Sequence, residues 1–171
     1  WFGCACCPSN VARFVPAIPG YIYAMTDKAL FVNLYISNEA EINIGRSNVK
    51  ITQKAGFPWN GNVEISVNPE IRTKFDLKIR IPGWAINEAI PGDLYRFNEK
   101  PGEPFKLLVN RKPVTAVVKN GYVDIERKWR KGDKVELALP MPVRTVTADK
   151  RIRDDAEKIA VQRGPVIFCA E

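Results

Sequence analysis

Phe75-Asp76-Leu77-Lys78-Ile79-Arg80-Ile81 alternates an apolar residue with a charged one at every step. Successive side chains of an extended chain point to opposite faces. This stretch therefore puts Phe75, Leu77, Ile79 and Ile81 on a core and Asp76, Lys78 and Arg80 in water. The same period of two recurs upstream at Ile42 and Ile44, at Val49 and Ile51, and at Val63, Ile65 and Val67. Leu30 to Ile36 is denser and reads as a buried strand. Asn60-Gly61 and Asn120-Gly121 are hairpin signals, because both residue types tolerate positive φ.

Downstream, Pro82-Gly83 ends the strand and Trp84 follows. Residues 88–104 carry turn formers and read as a loop or insertion. Strands are expected at Lys106–Val109 and Val114–Val118, separated by the turn Asn110-Arg111-Lys112. Tyr122, Val123 and Ile125 lead to Trp129, and Lys131-Gly132-Asp133 turns the chain into Val135, Leu137 and Leu139. Pro140 and Pro142 interrupt the pairing before a strand at Val143–Ala148. Asp149–Lys158 reads as a solvated loop, and Ile159–Val161 and Val166–Phe168 close the chain around Arg163-Gly164-Pro165. Short strands spaced about ten residues apart with turn signals between them predict a mainly β fold, an antiparallel β-sandwich.

The first residues differ. Val11, Phe14, Val15 and Ile18 follow helical spacing after Pro8, with Ser9 or Asn10 placed to cap the helix. Pro16 kinks or ends it, and Gly20 marks a stop. The chain does not begin with Met and has the look of an excised piece.

Composition narrows the function classes. With 171 residues and 46% hydrophobic content, the chain can bury a sizeable core as one large domain or one and a half small ones. The net charge is +7, but Lys and Arg are dispersed. No basic helix or aromatic-basic interleave is present, so the excess reads as a solvated basic surface with no nucleic-acid partner. Histidine is absent, which removes Ser-His-Asp and Cys-His catalysis and His-bearing zinc sites for this chain acting alone. No apolar run reaches the roughly 18 residues of a membrane helix, so no membrane partner is expected.

The chemistry concentrates in Cys4-Ala5-Cys6-Cys7-Pro8-Ser9-Asn10. A thiolate is a nucleophile or a soft metal ligand. The spacing is not that of a redox CxxC, and adjacency disfavours a relaxed Cys6–Cys7 disulfide. A closed zinc site needs four ligands and three cysteines are local, with the distant Cys169 a buried structural thiol or a fourth ligand. On the residues alone the cluster is a nucleophile, a partial metal site or a set of structural thiols. Trp59, Trp84 and Trp129 sit at strand ends, where tryptophan ordinarily belongs to the core.

The run Cys6-Cys7-Pro8-Ser9-Asn10-Val11-Ala12-Arg13 resembles the Cys-Cys-Pro-Pro-Asn signature of glycoside hydrolase family 127, the β-L-arabinofuranosidase-like enzymes, with Ser9 in place of the second proline. The resemblance continues through Tyr21-Ile22-Tyr23, Leu30 to Ile36, Phe57-Pro58-Trp59, Leu77 to Pro82 with Trp84, Trp129, Gly132-Asp133, Leu139 to Pro142, and Gln162 to Pro165 with Cys169 and Glu171. It implies that residues 1–24 are the end of a catalytic (α/α)6 helical barrel, that 25–140 form a β-sandwich, and that 141–171 begin a second sandwich or return strands. It further implies a retaining glycosidase acting on β-L-arabinofuranosides or similar glycans. Cys6 would be the nucleophile, and Cys6 and Cys7 would be zinc ligands. The other ligands and the acid/base glutamate would lie upstream in the barrel, the chain's expected partner. The competing reading is a non-catalytic β-sandwich module for carbohydrate binding or interdomain packing.

Overall fold

A computed structural model describes residues 6–168 of the chain. Helix α1 (Cys6–Ala17) and the short α2 (Pro19–Ile22) lead into the strands. These are β1 (Tyr23–Met25), β2 (Ala29–Val32), β3 (Asn38–Ile44), β4 (Ser47–Ala55), β5 (Asn62–Pro69), β6 (Thr73–Arg80), β7 (Tyr95–Phe97) and β8 (Lys106–Val109). They continue as β9 (Lys112–Pro113), β10 (Val118–Lys119), β11 (Tyr122–Trp129), β12 (Asp133–Ala138), β13 (Val143–Ala148), β14 (Ala160–Arg163) and β15 (Val166–Phe168).

Three sheets result, ordered β1-β2-β6-β11-β10, β3-β4-β5-β12-β8-β9 and β15-β14-β13-β7. All pairings are antiparallel except β2 with β6, which run parallel. The first two sheets face each other across the core. Register puts Leu30 beside Leu77 and Leu77 beside Ile125 in one sheet, and Ile51 beside Val67 and Val135 beside Ile65 in the other. All of these side chains are buried, as the alternation of Phe75–Ile81 requires. Trp129 is fully buried. Its indole stacks on Phe75 at 5.7 Å between centroids and its Nε1 donates to the Phe75 carbonyl at 3.0 Å.

The turn chemistry follows the sequence in two hairpins. Asn120 and Gly121 both have positive φ and join β10 to β11, and Asn110 and Arg111 do the same between β8 and β9. Asn60-Gly61 is different. It closes a longer loop between β4 and β5, and Gly61 is glycine because a Cβ there would fall 1.9 Å from the Leu139 carbonyl oxygen. The backbones approach that closely because the Leu139 N–H donates to the Gly61 carbonyl.

Several expectations need correction. The strand read over Leu30–Ile36 stops at Val32, because the chain there leaves one sheet for the other. Buried Gln53 secures the crossing, its Nε2 donating to the Leu34 and Ile36 carbonyls at 2.9 and 2.7 Å. Val114–Val118 is a strand only from Val118, for the same reason: β9 and β10 belong to different sheets. Residues 88–104 are not all loop, since β7 lies among them and pairs with β13. Ser9 and Asn10 sit inside α1 and not at its cap.

Asp133 shows what electrostatics adds. Its carboxylate is buried and accepts from Asn110 Nδ2 at 2.8 Å, the Arg130 N–H at 3.0 Å and Arg127 Nε at 3.3 Å. Burial pushes its pKa up, but these donors and the Arg127 charge outweigh burial and hold it below the usual carboxylate value. A depressed folded-state pKa contributes stability above the unfolded value of about 3.9 and loses it as pH falls through the folded value. Asp133→Ala is expected to cost about 3 kcal/mol near neutral pH and to flatten the acid side of the stability profile, as measured by urea melts across pH 2–7.

Candidate functional site

Cys6 and Cys7 lie in the first described turn of α1, followed by Pro8, whose missing N–H costs least near a helix start. The two sulfurs are 3.7 Å apart and both residues are exposed. Ser9 Oγ donates to the Cys6 carbonyl at 3.1 Å, and Arg13 Nη2 donates to Asn10 Oδ1 at 3.0 Å. The residue at the second proline position of the motif thus ties back to the backbone of Cys6. Pro16 lies in the last turn and the helix ends at Ala17, as the proline spacing predicts.

The sulfur separation suits a thiol–thiol hydrogen bond, and it also lets the pair hold a soft metal. Two thiolates at about 2.3 Å from one tetrahedral zinc stand about 3.8 Å apart, and the observed separation fits that edge. No group of three or more metal-capable side chains assembles among the described residues, so Cys6 and Cys7 would be a half-set. Cys4 and Cys169 lie outside the described residues.

Helix α1 carries the pair on a surface that nothing among the described residues covers. None of its residues is buried, and Val11, Phe14 and Val15 are 55–60% exposed. The Phe14 ring lies 6.4 Å from that of Tyr21, which is exposed as well. An apolar stripe at helical spacing ordinarily lies on a core.

The chain matches the sequence model described as "Beta-L-arabinofuranosidase, GH127 middle domain" over residues 29–141. It belongs to glycoside hydrolase family 127. A match to the "Glycoside hydrolase family 127 C-terminal domain" follows over residues 143–171. The GH127 chain is 36% identical to a "Non-reducing end beta-L-arabinofuranosidase" of Bifidobacterium longum subsp. longum, across 100% of its own length and 24% of the relative's. A solved GH127 β-arabinofuranosidase superposes with a TM-score of 0.93 at 44% identity, over 100% of this chain and 27% of that one. Another, a GH127 β-L-arabinofuranosidase from Geobacillus stearothermophilus T6, gives 0.84 at 39% identity, over 98% of this chain and 24% of that one. The GH127 chain therefore spans about a quarter of the length of these relatives.

The three tryptophans part company. Trp129 is core, Trp84 is half-buried against Phe57, and Trp59 is 72% exposed on the β4–β5 loop, its carbonyl accepting from Arg163 Nη1 at 2.8 Å. Arg144, which no motif of the sequence singles out, and Gln162, which the sequence marks only as part of the Gln162–Pro165 run, are buried polar residues of the third sheet. The available signal was parity: Arg144 shares its strand face with Val146, which is buried too.

Proposed function

We propose that this chain is part of a retaining glycoside hydrolase acting on β-L-arabinofuranosides or closely similar glycans, with Cys6 as nucleophile and Cys6 and Cys7 as zinc ligands. The observation that carries the reading is the pair of neighbouring thiols 3.7 Å apart in a chain of this family. Bound at these sulfurs, zinc would hold them as thiolates. The Cys6 sulfur attacks the anomeric carbon as the bond to the leaving oxygen breaks, and a carboxylic acid outside the described residues gives that oxygen its proton. Water gives a proton to the carboxylate left by that acid and attacks the same carbon, the carbon–sulfur bond breaks to return the Cys6 thiolate, and two inversions leave the configuration retained. This replaces the usual carboxylate nucleophile with sulfur.

The uncovered apolar stripe of α1 supports a helical barrel as its partner in the longer protein. The remaining ligands and the acid belong there, so the 171 residues alone should turn over no arabinofuranoside. In the longer protein, chelation is expected to abolish hydrolysis and added zinc to restore it, and Cys7→Ala to lower bound zinc measured by elemental analysis. Full activity at zero zinc would remove the metal from the scheme.

A further inference from the structure

The third sheet turns Phe97, Arg144 and Gln162 toward a cavity. Between its inner face and the end of the sandwich lies a cavity of about 280 Å³, near the small end of ligand sites at about 300–1,000 Å³. Its walls are largely ring and proline surface, from Trp84, Phe97, Phe105, Pro104, Pro140 and Pro142. Register explains which polar groups enter it. Arg144 pairs with Gln162, and Val146 pairs with Phe97, so Arg144, Gln162 and Phe97 share the inner face.

Both polar residues are 7% exposed and line the cavity. The Arg144 guanidinium lies over the Phe97 ring at 3.6 Å, and its Nη2 donates to Asn87 Oδ1 at 2.7 Å and to the Glu99 carbonyl at 2.8 Å. Its Nε is buried with no hydrogen-bond acceptor. The Glu99 carboxylate stands 3.9 Å from that nitrogen and is taken up by the Thr145 N–H and hydroxyl. Gln162 Nε2 donates to the Gly164 carbonyl at 2.8 Å, and among the described residues its Oε1 accepts no hydrogen bond. Buried polar groups short of partners are costly, and a mixed cavity beside them suits a ligand that both donates and accepts.

We propose that this cavity binds one neutral sugar residue of a glycan. A sugar ring presents C–H faces to Trp84 and Phe105 and hydroxyls that accept from Arg144 and donate to Gln162. An anion is disfavoured, because Glu103 lines the cavity and Glu99 already offsets the Arg144 charge. A purely apolar ligand would leave the guanidinium and amide unserved. The choice of a sugar draws on the glycosidase reading, yet no cysteine lines the cavity, whose walls come from residues 84–164.

The test is a titration of the full 171-residue chain with methyl β-L-arabinofuranoside, methyl α-D-galactopyranoside and, as an anionic comparator, benzoate, followed by ligand-observed NMR. At least one glycoside is expected to bind in the millimolar range and benzoate not to bind. Gly102 offers a gentle way to close the cavity, since a Cβ there would meet nothing nearer than Pro142 at 3.8 Å. Gly102→Trp and Gln162→Ala should each weaken glycoside binding at least tenfold while the melting temperature stays within a few degrees. Absence of glycoside binding, binding indifferent to Gly102→Trp, or preference for benzoate would overturn the proposal. Sugar held by this chain reports the cavity and not the reaction. A null here leaves the cysteine reading intact, and hydrolysis surviving the loss of Cys6 leaves the cavity intact.

Discussion

Replacing Cys6 by alanine in the longer protein should lower kcat on an aryl β-L-arabinofuranoside by at least about 10⁴-fold, with KM changed far less. The size of the effect follows from the role. In the proposed role the sulfur would form and break a bond to the anomeric carbon, so its loss would remove a covalent route that neighbouring groups do not replace. Cys7→Ala should also inactivate, but through the metal, and only that variant should regain activity as zinc is raised. Equal loss in both variants with full zinc retention in both would argue for two structural thiols. Neither cysteine belongs to the sandwich core, so a collapse of the sandwich is a poor competing explanation, and circular dichroism of both variants checks the helical part.

Trp129→Ala is expected to be the most damaging single change to the fold, costing about 3–5 kcal/mol. The indole is fully buried, stacks on Phe75, carries the Arg127 guanidinium 5.8 Å from its centre, and donates to the Phe75 carbonyl. Truncation would leave a large cavity between the two sheets and an unserved carbonyl. For a domain of this size the melting temperature should drop by roughly 10 °C, followed by far-ultraviolet circular dichroism. Trp129→Phe keeps a ring on Phe75 and should cost less than half as much. A loss under 1 kcal/mol for the alanine variant would mean that the sheets close without the indole.

Much of the architecture was legible because period-two alternation survives wherever one strand face is buried and the other wet. Phe75–Ile81 and Val63–Val67 behaved as their patterns require. What the pattern could not show was where a strand changes sheets. Apolar residues continue through Leu34 and Ile36 and through Val114 and Val117, although the backbone has left its ladder. The strand β7 was hidden because three residues among turn formers give no period, and its partner β13 lies far along the chain. Buried Arg144 was hidden by its charge, which reads as solvent-facing until the sheet register turns it inward.

The cysteine pair was legible as chemistry but not as a site. Two adjacent thiols announce reactivity or metal binding, while the sequence leaves their separation and orientation open. The helix supplies the 3.7 Å sulfur spacing, and Ser9 supplies the tie to the Cys6 carbonyl.

The most direct measurement is the identity of the atom that carries the sugar during turnover. The longer protein would be treated with a slow or inactivating arabinofuranoside, digested, and the labelled peptide fragmented by mass spectrometry. The account predicts one pentosyl unit on the Cys6 sulfur and none on Cys7. A pentosyl ester on a glutamate or aspartate, with Cys6 unmodified, would contradict it.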